Sequence, residues 1–268
     1  MHNSNNVSGR NTPANFDNEP WDEKPWKKFE KIVFRLQKRI YVARKQGNLK
    51  KVNWLQRRLL KSRAAMFLAV RKVTQLNAGK RTAGIDGKTA LTKQERMELV
   101  GRLEMEAEEW KSSPTKRVFI PKSDGTQRQL GIPTIADRAW QALITLALEP
   151  SAEATFHANS YGFRPGRGCW DAHKVIWLRT CQGGIVSSKF SGYIYELDIE
   201  KCFDRIDQLD LIKRVELPKK YRHGLFKALK SGVVVNFNSH ENTGQGTPQG
   251  GVHTPPTILH NRVLSPES

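Results

Sequence analysis

Five residues spread along the sequence have the types and the order of a phosphoryl-transfer site. Asp198 closes the alternating stretch YIYELDI, which predicts a strand with Tyr193, Tyr195 and Leu197 on one side and Ile194, Glu196 and Asp198 on the other. A carboxylate at a strand end suits Mg2+, which takes carboxylate and carbonyl oxygens while keeping waters and phosphate oxygens. An aspartate there serves equally well as the cap of a following helix, so Asp198 alone leaves both readings open. In DIEKCFD the backbone N–H groups after Asp198 can face a triphosphate, and Phe203, five residues on, stands where a bound sugar would lie. Lys122 and Arg128, around an SDGT turn, offer the cationic clamp that a transferring phosphoryl group needs. Gln249, in the glycine-rich TPQGG, offers an amide to a nucleotide on a backbone compact enough for close approach.

These residues need a frame. Trp26, Phe29, Val33, Leu36, Ile40 and Ala43 step by three and four, one stripe of an amphipathic helix that Gly47 and Asn48 interrupt. Val52, Leu55, Leu59, Met66, Ala69, Val73 and Leu76 continue the rhythm in a second helix, so the pair predicts a helical hairpin with a basic exterior. Trp54, Phe67 and Tyr41 are read as packing residues in preference to base-stacking ones. An acidic helix follows at KQERMELVGRLEMEAEEW, closed by Pro114. KRVFIPKSDGTQRQLGIPT then predicts two short strands around a turn, and IADRAWQALITLALEPSAEATF a helix with Ala139, Leu143, Leu146 and Ala147 on one face. LDLIKRVEL predicts a further helix and SGVVVNFNS a strand. Strands separated by helices behind a helical extension point to an α/β or α+β domain.

Composition narrows the partners. The chain holds 45 Lys plus Arg against 26 Asp plus Glu, a formal net charge of +19. Between Trp26 and Arg81 there are 18 basic residues and one acidic residue, Glu30, so nearly all the excess lies in that segment. Such a field attracts a polyanion by releasing its counterions, with RNA or DNA the first candidate and an anionic membrane the second. Cys169, Cys181 and Cys202 form no CxxC pair and are odd in number, which argues for free thiols. No apolar run reaches the length of a membrane span, and the polar N-terminus lacks the apolar core of a signal peptide, so we expect a soluble, intracellular protein.

The blocks TAGIDG (82 to 87), FIPKSDGTQRQLGIPTIADRAWQ (119 to 141), SYGFRPGRGCWDA (160 to 172), YELDIEKCFDRID (195 to 207) and GTPQGG (246 to 251) together resemble the reverse transcriptases encoded by group II introns. The likeness runs from about Trp21 to Pro255. It implies an α+β fold: a flexible leader at 1–20, a basic helical extension at 21–81, the fingers and part of the palm of a right-hand polymerase at 82–255, and an aberrant tail at 256–268. By the same resemblance Asp198 is the first metal-binding aspartate, with the carbonyl of Ile199 as a further ligand, and Phe203 is the gate that rejects ribose. Lys122 and Arg128 hold the incoming triphosphate and Gln249 contacts the nucleotide. Arg164 and Arg167 touch the template backbone or, equally, serve the fold. Asp204 is assigned to structure. The basic extension would grip intron RNA, with Arg57, Arg58, Lys61 and Arg63 as its test residues. The implied partners are intron RNA, an RNA template with a DNA primer, and deoxynucleotides; the implied cofactor is Mg2+, two ions stabilising the entering and leaving oxygens.

The sequence departs from that family in one respect. Two-metal chemistry needs a second carboxylate source, a YADD-like turn beyond the Gln-Gly-Gly block, and this chain has no two adjacent aspartates. It stops seventeen residues after Gly251, and the apolar pattern lapses after Pro255. We therefore expect a reading frame cut short, with residues after about Val252 out of frame, and no polymerase activity from the chain alone. The alternative is a non-catalytic RNA-binding protein acting through the basic helices.

Overall fold

The computed structural model describes residues 19–89, 91–121, 125–180, 193, 195–197, 205–235 and 239–241. Helix α1 (Trp26–Lys45) buries the stripe Phe29, Val33, Leu36, Ile40 and Ala43. It ends in a Schellman turn: Gly47, at φ 69°, donates its N–H to Arg44 O (2.9 Å), and Asn48 donates to Ala43 O (2.9 Å). Asn48 then caps α2 (Leu49–Leu60), its side chain accepting from the Lys51 N–H at 3.0 Å. The interruption read at Gly47 and Asn48 is thus a stop and a start on adjacent residues.

The expected second helix divides in two, so the segment is three helices and not a hairpin. Helix α2 buries one side only, through Val52, Leu55, Gln56, Leu59 and Leu60. After Lys61 and Ser62, α3 (Arg63–Arg71) buries Ala64, Ala65, Met66, Phe67, Ala69 and Val70, leaving hardly any polar face. A helix apolar nearly all round must enter the core, whereas α2 must keep its basic side in water; the break at 61–62 permits both. The i, i+3, i+4 rhythm continues across that break, which is why the sequence reads as one helix. Helix α3 runs on into a π turn at Lys72–Leu76, closed by Asn77 N–H to Lys72 O at 2.9 Å.

Helix α4 (Lys93–Glu106) starts with a capping box between Thr92 and Glu95 and ends in a 3-10 turn at Ala107–Glu109. Strands β1 (Thr115–Pro121) and β2 (Gln127–Ile132) form the expected antiparallel hairpin, and Gly125 carries a φ of 80° in its turn. Helix α5 (Ile135–Glu153) differs from its reading: 14 of its 19 residues are buried, so it is the central helix and not one with a single apolar face. Helices α1, α2 and α3 all pack on it. Beyond α5 come α6 (Cys169–Thr180), α7 (Gln208–Arg214), α8 (Lys219–Leu229), β3 (Val233–Val235) and β4 (Ser239–Glu241). The sheet order is β2-β1-β3-β4, with β1 and β3 parallel through Thr115↔Val233. SGVVVNFNS therefore opens a hairpin, β3 to β4, in place of a single strand.

The strand expected at YIYELDI is absent from the part of it that is described. Tyr193, Tyr195, Glu196 and Leu197 have no regular structure, and Tyr193, Tyr195 and Leu197 are 88%, 81% and 90% exposed. Alternation makes a strand only where a neighbour takes its N–H and C=O groups, and no described strand lies beside this stretch. Mixed helices around one small sheet make this an α+β fold. Among the described residues no helix is long and apolar enough to cross a membrane.

Candidate nucleic-acid interface

The basic segment divides into charges that face the rest of the chain and charges that face outward. Arg44 pairs with Glu216 (2.9 Å), Arg63 with Glu104 (2.6 Å), Lys61 with Glu108 (3.0 Å), and Arg71 with Glu30 (3.4 Å). Glu108 also accepts from Lys220 at 2.7 Å, and the hydrogen bonds from Lys220 and Lys61 hold its carboxyl below the usual range. Arg35, Lys38 and Arg39 on α1 and Lys51, Arg57 and Arg58 on α2 are exposed, and none of these six forms a described ion pair. Of the four basic test residues, Arg57 and Arg58 thus face outward, while Lys61 and Arg63 are shared with acidic side chains of α4 and its 3-10 extension.

Two helices can present this charge because α1 and α2 are fastened to the central helix by polar bonds as well as by apolar contact. Gln37 Nε2 donates to Leu146 O (3.0 Å), and buried Gln56 Nε2 donates to Ala147 O (3.2 Å) and Glu216 O (2.7 Å). The aromatics of the segment divide as well. Trp21, Trp26, Phe29 and Phe67 cluster inside, with Phe29 and Phe67 stacked at 5.1 Å, and Tyr41 lies under Lys45. Trp54 departs from its reading as a packing residue: it is 51% exposed, with the guanidiniums of Arg39 and Arg58 at 5.8 and 5.7 Å from its ring centre.

Three of the motif blocks are ordered by internal bonds. Thr134 caps α5, accepting from the Asp137 N–H (3.1 Å), while the Asp137 carboxylate accepts from Thr134 Oγ1 (2.7 Å), Trp110 Nε1 (2.8 Å) and the Ser113 N–H (3.2 Å). Burial pushes the Asp137 carboxyl up from its ordinary range against the pull of these bonds. Arg138 donates to Pro133 O (3.1 Å), Gly79 O (2.8 Å) and Thr82 O, which ties the loop before TAGIDG to the hairpin's base. Gly84 passes so close to that base that a Cβ would lie 2.7 Å from Thr134 Cα. In SYGFRPGRG, Arg164 is 7% exposed; it forms a paired contact with Glu153 (3.0 and 2.5 Å), donates to His157 O and Ser160 O, and covers the Phe156 ring at 4.8 Å. Of the two roles left open for Arg164, this geometry is that of a residue serving the fold. Arg167, by contrast, is exposed beside the Tyr161 ring.

Asp198, Ile199, Phe203, Asp204, Lys122 and Gln249 lie outside the described residues. Arg128 is placed by its backbone alone, in β2 opposite Ile120, one residue short of the Pro121 that precedes Lys122. Among the described residues no three His, Cys, Asp or Glu side chains gather as a metal would need.

Residues 120–265 match the family described as reverse transcriptase (RNA-dependent DNA polymerase), and residues 21–103 match the N-terminal domain of reverse transcriptase. The chain belongs to the reverse transcriptase family. Its relatives include a group II intron-encoded protein and proteins of yeast cob and COX1 introns. Maturase-like protein 1 of Euglena gracilis is 31% identical over 81% of this chain and 46% of its own length. Protein YkfC of Escherichia coli is 33% identical over 72% of this chain and 51% of its own. The group II intron-encoded protein LtrA of Lactococcus lactis is 36% identical over 56% of this chain and 24% of its own. The chain thus spans about half the length of the first two relatives, and less of LtrA. The match to the N-terminal domain takes in all of α1, α2 and α3 and extends through most of α4.

Proposed function

We propose that this chain is the N-terminal portion of a group II intron reverse transcriptase and maturase, whose whole activity is RNA-templated DNA synthesis together with intron RNA binding and splicing assistance. The observation that carries the reading is the outward basic face of α1 and α2, built on a chain of reverse transcriptase family. Intron RNA lies on that face; Arg35, Lys38, Arg39, Lys51, Arg57 and Arg58 neutralise its phosphates, and Arg167 supplies a further contact to the template. In the nucleotide site Lys122 and Arg128 hold the triphosphate, Gln249 contacts the nucleotide and Phe203 excludes the 2′-hydroxyl. Asp198 and the carbonyl of Ile199 would hold Mg2+, which would supply positive charge to the phosphoryl oxygens. The protein works where its intron is transcribed, in a bacterial cytoplasm or an organelle.

The 268 residues contain no adjacent aspartate pair, so by themselves they extend no primer. The experiment is equilibrium binding of a group II intron RNA, alongside primer extension on that RNA with Mg2+ and deoxynucleotides. Tight, salt-sensitive RNA binding without DNA product is the expected pair of results. Absence of RNA binding would contradict the first half of the proposal, and robust Mg2+-dependent synthesis the second.

A further inference from the structure

We propose that Trp54 is a stacking platform for an unpaired base of the RNA held on the α1–α2 face. The other large aromatics of the segment's interior, Trp26, Phe29 and Phe67, pack against one another, and Trp21 joins them. Trp54 sits instead on the outer side of α2, 51% exposed and apart from the core. A lone exposed indole is ordinary on a protein surface; its setting here is not. Arg39, from α1, and Arg58, one turn further along α2, bring their guanidiniums to 5.8 and 5.7 Å from the ring centre. The indole therefore bridges the two helices on a basic part of the surface, with Lys51 and Arg57 also exposed nearby along α2. Arginines beside an indole do two things for a nucleic acid. They bring phosphates to the ring, and they stack on bases themselves. The surface is charge-complementary to a polyanion and carries no described acidic partner for either arginine, so an RNA fits it better than a protein segment.

The geometry distinguishes two contributions on one face. The cations read phosphates, which paired and unpaired RNA both offer. Trp54 reads the open face of a base, which only unpaired RNA offers. This inference rests on the RNA-binding reading proposed above and adds a preference for single-stranded elements such as a loop or bulge.

The test uses the full chain and two probes, an RNA stem-loop and a perfect RNA duplex with the same number of phosphates. Trp54→Leu, which keeps helix propensity, is expected to weaken stem-loop binding about tenfold. It should leave duplex binding and the dependence on salt unchanged, and Trp54→Phe should retain most of the stem-loop affinity. Stem-loop binding unaffected by Trp54→Leu would overturn the inference and leave the indole to a protein partner. Equal losses on both probes, or a lowered melting temperature in the variant, would overturn it in favour of a role in holding α1 to α2. If the unaltered chain bound neither probe, the RNA-binding reading itself would fall. Salt-sensitive binding of both probes without a Trp54 effect would remove the stacking role alone.

Discussion

Gln37 donates from its side chain to the carbonyl of Leu146 at 3.0 Å, and Leu146 is four residues before Pro150 in the central helix. Pro150 has no N–H, so the Leu146 carbonyl lacks its helical donor and would be left without a bond inside the packed helices. Gln37 on α1 supplies the missing donor. The same link that satisfies the helix fixes the basic extension to the core.

From that bond, Gln37→Leu should lower stability by about 1–2 kcal/mol, since it strands an acceptor as well as losing a bond. Pro150→Ala restores a donor to Leu146 and should reduce the cost of Gln37→Leu. Urea unfolding of the two single variants and the double variant gives the coupling; strict additivity would disprove the link.

Asp137 collects Thr134, Trp110 and the Ser113 N–H within a buried site. Asp137→Ala should cost about 3 kcal/mol by leaving those donors unsatisfied. Its pH behaviour has a definite sign. Burial raises its carboxyl in the folded chain above the ordinary range, so in the window between the unfolded and folded values the folded chain binds the extra proton. Stability from this group therefore falls as pH rises through that window. Unfolding free energies of Asp137→Asn against the unaltered chain should show the variant gaining relative stability as pH rises there; the opposite trend would show that the hydrogen bonds outweigh burial.

Gly84 is held by contact and not by backbone angle. A Cβ would stand 2.7 Å from both Thr134 N and Thr134 Cα, which are backbone atoms of the α5 cap and cannot swing away. Gly84→Ala should destabilise by about 2 kcal/mol or more, where an unobstructed Gly→Ala change stabilises by about 0.4–1 kcal/mol. Thermal unfolding measures the difference, and a neutral result would show the loop free to move off the hairpin's base.

Glu108 pairs with both Lys61 and Lys220, so on the proposed RNA-binding reading it would compete with RNA for these two cations. These are exposed lysines, so Glu108→Gln should change stability by less than about 1 kcal/mol. Releasing them should strengthen RNA binding about two- to threefold and steepen its salt dependence by about one counterion. Filter binding at several salt concentrations reads both quantities; weaker binding would show that the pair organises the surface instead of masking it.

Much of this was legible in sequence, for local reasons. The α1 stripe, the β1–β2 hairpin and the start of α2 follow from spacing and from Gly47 and Asn48. What failed depends on tertiary context. The break at Lys61 and Ser62 preserves the hydrophobic rhythm, so periodicity passes over it. Helix α5 shows apolar residues on one face, yet Asp137, Arg138, Gln141 and Thr145 are buried as well because partners from other elements or the helix's own carbonyls satisfy them. Helix α8 went unread, although Pro218 before it and Tyr221, Leu225 and Ala228 at helical spacing mark it. At the interface, the sequence placed the charge and the structure separated Arg57 and Arg58 from the paired Lys61 and Arg63. No sequence pattern distinguishes Trp54 from Phe67 in exposure; the bend between α2 and α3 does that.

The most direct test of the central claim is the salt dependence of group II intron RNA binding by the full chain. We predict that log K falls linearly with log salt, and that replacing Arg35, Arg39, Arg57 and Arg58 with Gln makes the slope shallower by about three to four while Asp198→Ala leaves it unchanged. A slope near zero, or one unaltered by the four substitutions in a chain that still folds, would contradict the assignment of RNA to the α1–α2 face.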